Sequence, residues 1–270
     1  MKATVLTDNI ENGTLKGEWG LAVYIEYKDK KILLDTGATE LFAENAKKLG
    51  LSLADVDAAV LSHAHYDHAD GMGRFFGENE KADFYLRRGC AEDCYFKKFI
   101  IRKYIGIKKG SLAAAGKRIR YVSGMTELYD GVYLVPHTTE GLSAIGVRES
   151  MYRRTPEGWK PDDFSHEQSL VFDTDKGLVV FNSCCHGGAV NIINEIGAAF
   201  PGKKVYALIG GFHLFNKPDA EVEAFADKIK ETGTEYICTG HCTGKKQYEI
   251  LKTRLGDVAH QLKVGLVMEF

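Results

Sequence analysis

Four side chains of metal-binding type fall within six residues of this chain: His63, His65, Asp67 and His68, inside SHAHYDHADG at 62–71. They follow VDAAVL at 56–61, an apolar run β-branched at two positions, which reads as a buried strand. Side chains two apart on an extended segment point the same way, so His63 and His65 can grip one ion together. Asp67 and His68 follow as the backbone turns and can be aimed at a second ion. Imidazole suits zinc, iron or manganese, and a single carboxylate adds charge while leaving coordination positions open for water. The plain alternative is a polar loop that holds its histidines by chance. Asp70-Gly71 reads as a turn opening a helix over 72–76.

The spacing His-x-His-x-Asp-His after a strand resembles the hallmark of the metallo-β-lactamase superfamily. VLTDN at 5–9, WGL at 19–21, DTG at 35–37, GGFHL at 210–214 and TGHCTG at 239–244 extend the likeness. The fuller set is similar to the branch named after a dihydropterin–ribofuranosylaminobenzene-phosphate synthase. The resemblance implies an α+β fold, an αββα sandwich with a metal site at its edge, as one domain over 1–270. It implies two divalent transition-metal ions, zinc first, with iron or manganese as alternatives. His63, His65 and His186 would hold one ion, and Asp67, His68 and His241 the other. Asp35 would orient a ligand histidine by a hydrogen bond. Asp67 would also help to position or deprotonate the attacking water. His213 would touch substrate or act as general acid, against the alternative of a packed structural histidine. Where many members carry a bridging Asp, or some a Cys, this chain has Cys184, open between thiolate ligand and packing residue. His166 stands near a place where most members have a further ligand, and its role is open too.

Taken in order, strands are expected over 21–27 and 31–35 around a short turn, then a helix over 39–49 that ends at Gly50. A strand follows at 82–86. Residues 97–120 hold nine Lys or Arg and no acid. Such a run is either a solvated face or a surface drawing an anionic substrate toward the metals. A strand is expected up to Val135. Residues 138–165 show little periodicity and several Gly and Pro, and so read as a substrate loop with Arg148, Tyr152, Arg153 and Arg154 as contacts. A hairpin at 168–173 and 178–182 delivers SCCHGG to a strand end. Strands at 204–209 and 236–239 and helices over 219–229 and 245–255 complete the pattern. His137 and His260 read as structural or exposed, and Cys90 and Cys94 could share a helix face.

A formal net charge of −2 over 270 residues gives no global pull toward nucleic acid or membrane, and neither is expected as a partner. No apolar stretch approaches a membrane span, and no secretory leader is read at the start. The six cysteines are then expected as reduced thiols in a cytoplasmic enzyme. The expected activity is hydrolysis of an ester, phosphoester or related bond in a small anionic substrate by a dinuclear metallohydrolase. Two rivals stand beside it: a diiron redox protein on the same scaffold, and a non-catalytic metal- or ligand-binding module. Within 270 residues no flavodoxin-like domain is expected, which speaks against a flavodiiron enzyme. Oligomeric state is not legible.

Overall fold

The computed structural model describes residues 1–270. Two mixed seven-stranded sheets pack face to face. The first runs, in spatial order, Val267–Glu269, Lys2–Thr7, Ala22–Tyr27, Lys30–Leu34, Ala58–Val60, Asp83–Arg87 and Ile119–Val122. The second runs Ala259–Gln261, Tyr236–Thr239, Val205–Ile209, Gly177–Phe181, Gln168–Thr174, Val132–Pro136 and Thr126–Tyr129. Strand alternation sorts the side chains. Val23, Ile25, Ile32 and Leu34 turn inward to meet Leu170, Phe172, Val179 and Phe181 of the other sheet. Tyr24, Leu33 and Ala59 turn outward against the helices Leu41–Lys48 and Met72–Glu78, through Phe42, Ala46 and Phe75. Val171, Val180 and Leu208 likewise pack on Ala189–Ala199, Asp219–Glu231 and Lys245–Leu255. Both sheets are covered on both faces, so their central strands read as nearly continuous apolar runs. The expected αββα sandwich is the observed fold.

A third, four-stranded sheet was not foreseen. It runs Gly158–Pro161, Met151–Thr155, Cys94–Lys98 and Ile101–Tyr104. The span 138–165 is therefore not a structureless loop: it holds the helix Ser143–Arg148 and an antiparallel hairpin paired onto Cys94–Lys98. Its strands are short and half exposed on both faces, so no period-2 alternation marks them in the sequence. Cys94 opens a strand and Cys90 sits in the preceding turn, so the two share no helix face.

Candidate metal centre

Lys2–Thr7, Lys30–Leu34 and Ala58–Val60 all end at one edge of the first sheet, because the first is antiparallel to Ala22–Tyr27, as is the second, and the third is parallel to the second. Gly177–Phe181, Val205–Ile209 and Tyr236–Thr239 are mutually parallel in the second sheet. The segments leaving these six strand ends carry Asp8 and Asn9, Asp35, the 62–68 motif, Cys184 and His186, His213, and His241 with Cys242. The backbone is strained where they turn: Asp35, Cys185, His213 and His241 have φ of 58°, 49°, 50° and 44°, a region non-glycine residues seldom enter. Gly211 lacks a side chain for a steric reason, since a Cβ there would sit 2.4 Å from the Cys242 sulfur.

His63, His65 and His186 bring one ring nitrogen each to within 4.8 Å of one another, all three buried. Asp67, His68 and His241 do the same with a carboxylate oxygen and two nitrogens. The six residues expected as ligands thus gather in the two expected triads. Ligand atoms around an ion with bonds of about 2.0–2.1 Å in a tetrahedron stand roughly 3.3–3.4 Å apart. Nε2 of His68 lies 3.2 Å from Nε2 of His241, and the Asp67 carboxylate lies 3.4 Å from His241 and 3.7 Å from His68. Nε2 of His63, Nε2 of His65 and both ring nitrogens of His186 are buried with no hydrogen-bond partner. Unsatisfied buried nitrogens are costly unless something binds them, and three converging on one point fit an ion.

The charge states suit the same role. Burial, and after it the neighbouring imidazoles, hold His63 and His186 well below the usual histidine range, so both stay neutral. Burial pushes His65 down to about 3. Burial would raise the Asp67 carboxyl, but His68 and the hydrogen bond from His241 outweigh it and keep it ionised. Burial likewise works against charge on His241, yet Asp67 carries it up to about 9. A metal ion there would displace that proton.

A shell of carboxylates and amides aims the histidines. Asp35 accepts from Nδ1 of His68 at 2.8 Å and from the Ser62 hydroxyl at 2.7 Å, and that hydroxyl contacts Nδ1 of His63 at 2.8 Å. Both rings are thereby fixed with Nε2 turned to the centre. Asn9 contacts Nδ1 of His241 at 3.1 Å, and Asp8 accepts the His241 backbone N–H at 2.9 Å. Glu167 accepts the backbone N–H of His186 and of Gly187, both at 2.9 Å. Its outer oxygen also meets Nε2 of His137, whose Nδ1 lies 2.9 Å from Glu195. His137 is therefore structural, as expected, and anchors the loop that presents His186. His260 stacks on Tyr236 with ring centroids 4.1 Å apart, away from the centre.

His166 lies with His65, Cys94 and Asp162 in a second buried group. Both of its nitrogens are engaged, however: Nδ1 accepts the Ala64 N–H at 3.1 Å and Nε2 contacts Asp162 at 3.1 Å. Those bonds brace the 62–68 loop. Cys184 lies between the triads, 3.3 Å from Nε2 of His68 and 3.5 Å from the Cys242 sulfur. Burial pushes the Cys184 thiol up. Burial opposes a Cys242 thiolate as well, but donors from Cys184 and His213 outweigh it and hold that thiol low.

His213 sits beside His186, with ring centroids 4.7 Å apart, and its Nδ1 is buried without a partner. With Trp19, Tyr66, Phe96, Lys103, Met151 and Phe215 it lines a cavity of about 270 Å³ that opens onto Asp67, His186 and His241. A neighbouring cavity of about 240 Å³ shares His186 and His213 and is lined further by Arg148, Glu149 and Lys217. Among the nine cations of 97–120, Lys103 alone lines the first cavity. Arg118 bonds backbone oxygens of Asn79 and Ala82, Arg120 pairs with Asp83, and Lys109 meets the Glu92 carbonyl. Arg153 lines neither cavity and is held within the fold: it pairs with Asp93 at 3.0 Å and donates to Gly89 and Ser165. Glu167, Asn9, Asp8, Asp162 and Cys242 escaped the reading of the sequence. Asp8, Asn9 and Cys242 stood there only as members of VLTDN and TGHCTG, without a role of their own.

The family model described as the metallo-beta-lactamase superfamily matches residues 20–181. The 7,8-dihydropterin-6-methyl-4-(beta-D-ribofuranosyl)-aminobenzene-5'-phosphate synthase of Methanocaldococcus jannaschii is 27% identical over 280 residues, spanning 96% of this chain and 92% of the relative. Among solved structures, Tm1679, described as a metal-dependent hydrolase of the beta-lactamase superfamily, superposes with a TM-score of 0.85 at 27% identity, covering 100% of this chain and 99% of that one. Zn(2+)-bound PqqB from Methylobacterium extorquens shares the fold, with a TM-score of 0.58 at 10% identity and 100% of both chains covered.

Proposed function

This chain belongs to the metallo-beta-lactamase superfamily, and on that premise we propose that it is a dinuclear metal-dependent hydrolase of a small anionic substrate. The observation that carries this reading is the pair of buried triads, His63/His65/His186 and Asp67/His68/His241, with unpartnered nitrogens turned toward a cavity. Two divalent ions, zinc first and iron or manganese otherwise, would supply Lewis acidity and a nucleophile drawn from water near neutral pH. Asp67, kept ionised by His68 and His241, would help to hold an ion and to position or deprotonate the attacking water. His213, with its free Nδ1, holds or protonates the leaving oxygen. Trp19, Tyr66, Phe96 and Phe215 offer flat apolar contact, and Lys103 a positive charge. The name of the Methanocaldococcus relative joins a pterin ring to a 5'-phosphate. A substrate with an aromatic ring and a phosphoester is therefore the first to try. Six free, buried cysteines suit a reducing, cytoplasmic setting, and no helix is long and apolar enough to cross a membrane.

The two thiols at the centre favour one second reading, a diiron redox site on the same scaffold. Elemental analysis, a visible spectrum and turnover of bis(p-nitrophenyl) phosphate separate the possibilities, with His65→Ala as control. Close to two ions per chain, a colourless zinc form and turnover lost in the variant are expected. A protein that takes up no metal on supplementation would sink the proposal, and an intense visible band from iron would replace it.

A further inference from the structure

The three most exposed large apolar side chains of the molecule are consecutive: Phe99, Ile100 and Ile101, at 84%, 90% and 70% exposure. They form the tip of the hairpin between Cys94–Lys98 and Ile101–Tyr104, where Lys98 pairs with Ile101 across a two-residue turn. Phe99 has φ 54°, at a turn position where local preference favours glycine. The turn thus accepts strain while presenting an aromatic ring to solvent. Lys97 and Lys98 precede this tip, Arg102 and Lys103 follow it, and no acid occurs anywhere from 94 to 126. None of those four cations takes part in an ion pair, unlike Arg153 and Lys160 on the adjoining strands. Beside them Trp159 is 38% exposed, with the Arg102 guanidinium 4.4 Å above its ring.

We propose that this tip docks on an anionic lipid surface, with Phe99, Ile100 and Ile101 entering the boundary of the acyl chains and Lys97, Lys98 and Arg102 meeting headgroups. An apolar point flanked by cations outside any ion pair matches such an interface in both charge and polarity, and Trp159 stands behind it under the Arg102 guanidinium. A second copy of this chain would set like charges against each other across a symmetric contact. The tip is convex, which suits a soft phase that yields around it. The net charge of −2 conceals the feature, since acids elsewhere offset it. Phe96 and Lys103 of the same two strands line the metal cavity, so docking would bring the cavity mouth toward the membrane. The proposal stands apart from the hydrolytic reading, because binding can be measured without turnover.

The test is sedimentation of the full-length, metal-supplemented protein with vesicles of phosphatidylcholine alone or mixed with phosphatidylserine. Binding to the mixed vesicles only, weakening with salt, is expected. Phe99→Ser/Ile100→Ser should lower partitioning about tenfold or more. Lys98→Ala should lower it about fivefold. These side chains are exposed, so circular dichroism and metal content should be unchanged. No sedimentation with phosphatidylserine vesicles overturns the proposal, as does binding that the double substitution leaves intact. A dimer in light scattering that the double substitution dissolves, without vesicle binding, would give the tip to a second copy instead.

Discussion

The thiols of Cys184 and Cys242 face each other at 3.5 Å, and Cys184 stands at the junction of the two triads, grouped with His63 and His68 on one side and with His241 on the other. A sulfur in that place is a soft ligand for a thiophilic ion. Cobalt-loaded protein should show near-ultraviolet thiolate-to-metal absorption that Cys184→Ser abolishes and Cys90→Ser leaves. A wild-type spectrum without that band would make Cys184 a packing residue.

Glu167 holds two backbone N–H groups of the loop that presents His186. Glu167→Gln keeps the shape but can accept at only one oxygen. Affinity for one of the two ions should fall about 10- to 100-fold, the usual loss when a partner behind a ligand is removed. Competitive titration with a chelator reads this out, and unchanged occupancy at both sites would contradict it.

His137 gives the fold a pH dependence. Burial opposes its charge, but the hydrogen bonds it donates to Glu167 and Glu195 outweigh burial and push it up to about 10. The folded value lies above the ordinary histidine value of about 6.5. Its contribution is therefore complete below pH ~6.5 and is lost as pH climbs toward 10. The gap in urea midpoint between wild type and His137→Gln should be widest near pH 6 and narrow steadily above it. A gap that stays constant over this window would refute the charged anchor.

Asp67 carries a charge within 3.4 Å of His241 and 3.7 Å of His68. Asp67→Asn keeps the volume and removes both the charge and the proton acceptor. Phosphodiesterase activity should drop by orders of magnitude with the circular dichroism unchanged. Full activity at saturating metal would exclude Asp67 from the chemistry.

Arg153 and Lys103 should separate cleanly. Arg153→Ala breaks the contacts to Asp93, Gly89 and Ser165 and should cost about 1–3 kcal/mol of stability with KM unchanged. Lys103→Ala should leave stability alone and raise KM for an anionic substrate. Denaturant titrations and kinetics on the two variants decide between this assignment and its reverse.

Local chemistry determined a good part of this molecule. The apolar runs in 21–35 and 168–182 foretold two hairpins, because a strand buried on both faces must be apolar nearly throughout. The spacing of His63, His65, Asp67 and His68 placed the centre at a strand end, since a two-residue period aims side chains to one side. His186 and His241 were legible only beside a family pattern, for each is a single histidine at a strand end like many others. Tertiary structure decided the rest. Glu167 lies 19 residues from His186 and Asp8 lies 233 from His241, and no local period links such pairs. The sheet built from Cys94–Lys98 and Met151–Thr155 joins strands that are short and half exposed, which erases their alternation. The nine cations of 97–120 form an even run in the sequence, yet folding scatters them among Asp83, backbone carbonyls, the cavity wall and a bare apolar tip. Charge is a property of composition, but what a charge faces depends on which distant strands the hydrophobic core brings beside it.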